Sequence, residues 1–153
     1  MYLQTITNDF EDSRIIFTAI GVGILLLAVS WFTQQKKIKP HFELTYANFG
    51  THILYISLLA AMFHFENMYL PWALTIGVFA WYCYTTALRD RSFYFILITV
   101  LYSYIALSYV VIRILFIGGD NMGLVYLGLM YFIASAIGMV LFLIRTNKKL
   151  HSK

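Results

Sequence analysis

FYFILITVLYSYIALSYVVIRILFI, residues 93–117, decides the fold. It is an apolar run of 25 residues broken by one charge, Arg113. At roughly 1.5 Å of rise per residue, it exceeds the ~20 residues that cross a hydrocarbon core of about 30 Å, so a helix here tilts or extends past the core. Steps of three and four stack Phe95, Thr99, Tyr102, Ala106, Tyr109 and Arg113 into one stripe. The other faces are mostly Ile, Leu and Val. Hydroxyls and a guanidinium placed against lipid tails lose water and gain no partner, so this stripe is expected to face other helices.

Four further runs approach the same length: 15–33, 45–64, 70–88 and 124–144. The chain of 153 residues is 61% hydrophobic and 12% charged, about half the charged fraction of a soluble domain. The runs are continuously apolar, not alternating, which favours helices over a barrel. The expected fold is all-α, a polytopic membrane bundle of five transmembrane helices over 15–144, with an outer tail over 1–14 and a basic tail over 145–153. Helices two, four and five are expected to supply its polar interior.

Charge distribution sets the expected orientation. Of eleven basic residues, nine fall on one side of five crossings: Lys36, Lys37, Lys39, Arg89, Arg91, Arg145, Lys148, Lys149 and Lys153. The positive-inside rule makes that side cytoplasmic and puts the N-terminus outside. Asp9, Glu11 and Asp12 are the reverse of a secretory n-region, and no cleavage is expected after the first run. The net charge of +4 is a topology signal and implies no nucleic-acid partner.

The polar residues within the runs are the candidates for chemistry. In the second run Asn48 and His52 share a face, and an imidazole there could relay protons or bind a ligand; more often it bonds a neighbouring helix. Together with Thr99, Tyr102, Tyr109 and Arg113 they form the candidate intramembrane polar site. His64, Glu66 and Asp120 form a candidate outer cluster, although no zinc-type spacing supports a metal there. Lys36, Lys37 and Lys39 face the expected cytoplasmic leaflet and are candidate lipid-headgroup contacts. Cys83 stands alone, so no intramolecular disulfide can form. Pro40 is expected to stop a helix from running through the first connection.

Small residues mark the expected helix contacts. Ala19 and Gly23 form a small-xxx-small pair in the first run. In the fifth, Gly128, Tyr131, Ala134 or Ser135, and Gly138 lie along one side, expected to pack on Tyr102, Ala106 and Tyr109. A faint echo at a spacing of 54 residues sets Glu66-Asn67-Met68 beside Asp120-Asn121-Met122, and Arg91 beside Arg145.

Residues 102–109, YSYIALSY, with Arg113, then 131–138, YFIASAIG, and Asn147-Lys148-Lys149, together with Ser92-Phe93-Tyr94-Phe95, resemble the C-terminal part of an uncharacterised bacterial multi-pass membrane protein family, domain of unknown function 2157. The resemblance covers roughly the last two thirds of the chain and carries no catalytic motif. It implies a bacterial cytoplasmic membrane and, since family members carry further N-terminal helices, a fragment or split form completed by a partner chain.

No G-x-S-x-G, Walker loop, H-E-x-x-H or C-x-x-C occurs. The expected function is that of a structural or accessory membrane module, not an enzyme, with no cofactor and with membrane lipids, a homo-oligomer or a partner membrane chain as partners. One alternative is a small oligomeric transporter or lipid- or anion-handling protein using Arg113. Another is an intramembrane lipid-modifying enzyme using His52 or His64.

Overall fold

The computed structural model describes residues 2–36, 40–116 and 122–151, with side chains over 12–36, 45–115 and 122–149. Among them the chain is all helical: α1 (Tyr2–Lys36), α2 (Pro40–His64), a 3₁₀ turn (Glu66–Met68), α3 (Tyr69–Arg89), α4 (Phe93–Phe116) and α5 (Met122–His151). α1 is continuous through residue 14, and α5 continues past residue 144 to His151, so neither tail boundary expected from the apolar runs coincides with a helix end. Pro40 opens α2, where its missing N–H costs nothing because the first turn has no intrahelical acceptor for it.

Four helices are long and apolar enough to cross a membrane: α1, α2, α4 and α5. α3, with 21 residues, is long enough, but Pro71, Thr75, Thr85, Thr86 and the rings of Trp72, Trp81, Tyr82 and Tyr84 dilute its aliphatic content. α2 is the least apolar of the four, yet half of its most apolar stretch is buried, against none of that of α5. Polar residues therefore accumulate on the helix that protein covers, where they can find partners.

The contacts group the chain into two compact units, Met1–Trp72 and Ala73–Lys153, with the division inside α3. The first unit is an antiparallel hairpin of α1 and α2. A Cβ added at Gly23 would stand 3.1 Å from Leu54 Cα and N, and one at Gly50 3.0 Å from Leu27 Cγ. Each glycine thus admits the other helix at a point where a methyl group would collide. Leu54, Leu58, Leu59, Ala61 and Met62 are buried along α2. Ile15, Leu25 and Trp31 of α1 are more than half exposed, as lipid-facing residues of a spanning helix would be.

In the second unit α3 closes and α4 opens within three residues. Ser92 N donates to Ala87 O at 3.0 Å and Arg91 N to Leu88 O at 3.4 Å, with Arg91 at φ 52°. This is the helix-ending pattern whose left-handed residue is usually glycine. α4 meets α5 through Tyr104, which lies 6.4 Å from the Phe132 ring and shares a 3.1 Å hydrogen bond with Ser135. Ser135 Oγ uses its own proton on Phe132 O, so Tyr104 is the donor.

That contact differs from the expected one. α4 turns Ser103, Tyr104 and Leu107 towards the groove that α5 lines, not Tyr102, Ala106 and Tyr109. Ala134 is exposed, and a Cβ at Gly128 or Gly138 would meet no described atom within 4 Å. Among the described residues these two glycines are therefore not points of close approach. Ring and hydroxyl contacts hold α4 to α5 at a distance that small residues do not set.

Candidate functional site

The polar stripe of α4 lies on its covered side. Thr99 and Ala106 are buried and Tyr102, Tyr109 and Arg113 half-buried, while Leu97, Leu101, Ile105, Ile112 and Ile114 are exposed. At its far end Arg113 Nη1 donates to Tyr109 OH at 2.7 Å, and the guanidinium carbon stands 5.9 Å from the centre of the same ring. One turn of helix brings these two groups together, since residues four apart share a face. The pair combines a charge-assisted hydrogen bond with a cation–π contact, both strengthened by partial burial.

His52 and Asn48 stand on α2, in the first unit, both half-buried and both engaged. The structure therefore gives the six residues of the candidate polar site as two groups, one on each unit. Thr99 is separate again within α4: it lines the groove shared with α3 and α5, described below, together with Ser103 and Tyr131. Spacing within α4 does not single out Ser103, and spacing within α5 marks Tyr131 only as a packing residue. Their signal was available in the register of α4 against α5, which spacing within a single helix does not carry.

At the other end of α2, His64 Nε2 and Ser13 Oγ of α1 share a hydrogen bond at 3.2 Å. The imidazole stands edge-on to Phe65, with centroids 4.9 Å apart. Phe65 stacks on Trp72 at 6.0 Å, and Phe17 approaches both rings, at 6.0 and 6.3 Å. His64 is thus part of an aromatic clasp closing the hairpin. Glu66 is exposed and engaged, and Asp120 lies outside the described residues. Among the described residues no three His, Cys, Asp or Glu side chains are placed to hold a metal ion.

Lys36 lies 5.7 Å from the centre of the Phe32 ring, and Lys37 and Lys39 lie outside the described residues. Ala19 is half-buried and borders an open groove with Arg14, Val22 and Ile53, and Gly23 approaches Leu54 of α2 closely. Cys83 is half-buried and engaged. No family model matches the chain, and neither a curated protein nor a solved structure matches it.

Proposed function

We propose that the chain is an accessory module of a bacterial cytoplasmic membrane that crosses the bilayer five times, N-terminus outside and C-terminus inside. It works by packing, against its own copies or a partner membrane chain, and not by catalysis. The observation that carries this reading is the state of Arg113. The one charge within the apolar part of α4 donates to Tyr109 OH at 2.7 Å, a hydrogen bond made inside its own helix. An Arg near a helix end can in addition reach towards the interface along its aliphatic stem. The almost uncovered surface of α5 suits a partner chain.

An anion-handling role would instead use the guanidinium as a ligand, and Tyr109 already occupies one of its forks. Native mass spectrometry of the intact protein in mild detergent, compared with Arg113→Leu, separates the two. The accessory reading expects the same assembly and the same bound species in both. A defined anion or lipid present in the original and lost in Arg113→Leu would overturn it.

A further inference from the structure

Three helices of the second unit line a groove of about 520 Å³. Gly77, Trp81 and Tyr84 of α3 and Phe142 of α5 make its wall apolar and aromatic. Its depth is not apolar. Thr99 is 3% exposed, and Thr99 Oγ1, Ser103 Oγ and Tyr131 OH, all lining the groove, have no hydrogen-bond partner among the described residues. A desolvated hydroxyl without a partner is unfavourable, and lipid tails supply none.

A basic pocket, the mouth, adjoins the groove and shares two of its lining residues. Tyr84 and Phe142, whose rings are 6.2 Å apart, also line a second pocket of about 520 Å³ bounded by Leu88, Arg91, Arg145, Thr146 and Lys149. Arg91, Arg145 and Lys149 line this pocket, and among the described residues no carboxylate does; Asp90, the nearest acid in sequence, pairs with Arg89 at 3.3 Å. Thr146 is buried beside them. Arg91 reaches the pocket from the left-handed residue that ends α3, and Arg145 from the α5 position that the 54-residue echo matches to it. Like charges gathered at a low-dielectric surface repel unless an anion sits among them.

We propose that the mouth and groove together bind one anionic phospholipid. Its phosphate lies among Arg91, Arg145 and Lys149, and its chains run past Tyr84 and Phe142 between the helices. The Tyr104–Ser135 contact sets α4 against α5 so that Thr99 stands five residues deeper than Arg145, roughly 7 Å at 1.5 Å per residue. The ester carbonyls of a glycerophospholipid lie on this deeper side of its phosphate, and a carbonyl there accepts from the Thr99 hydroxyl. Charge chooses the headgroup, and the aromatic wall and hydroxyl hold the body of the lipid in one place. Basic pockets between helix ends suit phosphate headgroups for this reason.

The assignment rests on the membrane setting of the helices and not on Arg113. The test is native mass spectrometry of the full chain with equimolar phosphatidylglycerol and phosphatidylcholine of matched chains. The original protein is expected to retain one phosphatidylglycerol in preference. At about fivefold per cation near an anionic headgroup, the double variant Arg91→Gln, Arg145→Gln loses at least about tenfold of that preference. Thr99→Val, which keeps the side-chain shape, weakens retention of both lipids, and Arg89→Gln, which removes a charge from the same turn but not from the pocket, leaves the preference intact. Equal retention of the two lipids by the original, or the same loss in Arg89→Gln as in the double variant, overturns the site as diffuse surface charge. Retention of inorganic phosphate in place of lipid overturns the lipid assignment. A ligand lost in Arg113→Leu and kept in the double variant would defeat the accessory reading and this site together, whereas the reverse result defeats neither.

Discussion

Arg91 stands where two demands meet in one residue. Its φ of 52° closes α3, a conformation that costs a residue with a Cβ roughly 1–2 kcal/mol, while its side chain lines the basic pocket. Glycine would relieve that strain but loses about 0.5–1 kcal/mol more backbone entropy on folding. Arg91→Gly is therefore expected to stabilise the lipid-free protein by about 0.5–1 kcal/mol, read as a higher melting temperature in detergent, and to lower the preference for phosphatidylglycerol. A fall in both would mean that the guanidinium holds the turn together. Two of the other charged and titratable residues singled out in the sequence have local explanations: Arg113 is bonded to Tyr109 and His64 to Ser13. The first pairing follows from a spacing of four. The second joins residues 51 apart, and only the antiparallel register of α1 on α2 reveals it.

At the scale of the helices, most of the fold was legible because an apolar run of spanning length has few alternatives to a helix. The four runs that became apolar spans, and the covered stripe of α4, follow from composition and a period of 3.6. Which neighbour a face meets does not. Gly23 belongs to a recognisable small-residue pair, but Gly50 is flanked at the four-residue steps by Tyr46 and Leu54, so no pattern marks it as the reciprocal contact. Likewise Gly128 and Gly138 lie along one side of α5, yet a Cβ at either would meet no described atom within 4 Å. The hairpin supplies a paired test. Gly23→Ala sets a methyl group 3.1 Å from the backbone of Leu54 and is expected to cost about 1–3 kcal/mol through overpacking. Gly21→Ala, with nothing within 4 Å, is expected to be neutral or to gain up to about 1 kcal/mol in helix propensity. Thermal unfolding of the two variants in the same detergent should therefore move in opposite directions or differ sharply in size. Equal shifts would mean that α1 and α2 do not pack as closely as 3.1 Å requires.

For the whole molecule the open question is α3, since its crossing decides whether the termini lie on opposite sides. Apolar content alone leaves it short of the other four. Its length and its flanks favour a crossing: 21 residues, Trp72 near one end, Trp81, Tyr82 and Tyr84 towards the other, and Arg89 in the last turn. Trp and Tyr count little on a scale of apolarity but prefer the two interfaces of a bilayer, so the residues that dilute α3 are those a short crossing uses at its ends. The basic residues agree, since Lys36 and Arg89, at the ends of α1 and α3, and Arg145, in the last two turns of α5, then stand at the same side. Single cysteines placed in a Cys83→Ser background test this directly. With five crossings, Asn67→Cys reacts with a membrane-impermeant maleimide on intact spheroplasts, and Asp90→Cys reacts only after lysis. If both react on intact spheroplasts, or both only after lysis, the two positions share a side and α3 does not cross. If Asp90→Cys alone reacts on intact spheroplasts, α3 crosses but the bundle is inverted, and the cluster of Arg91, Arg145 and Lys149 faces outward, against the rule that positive charge stays inside.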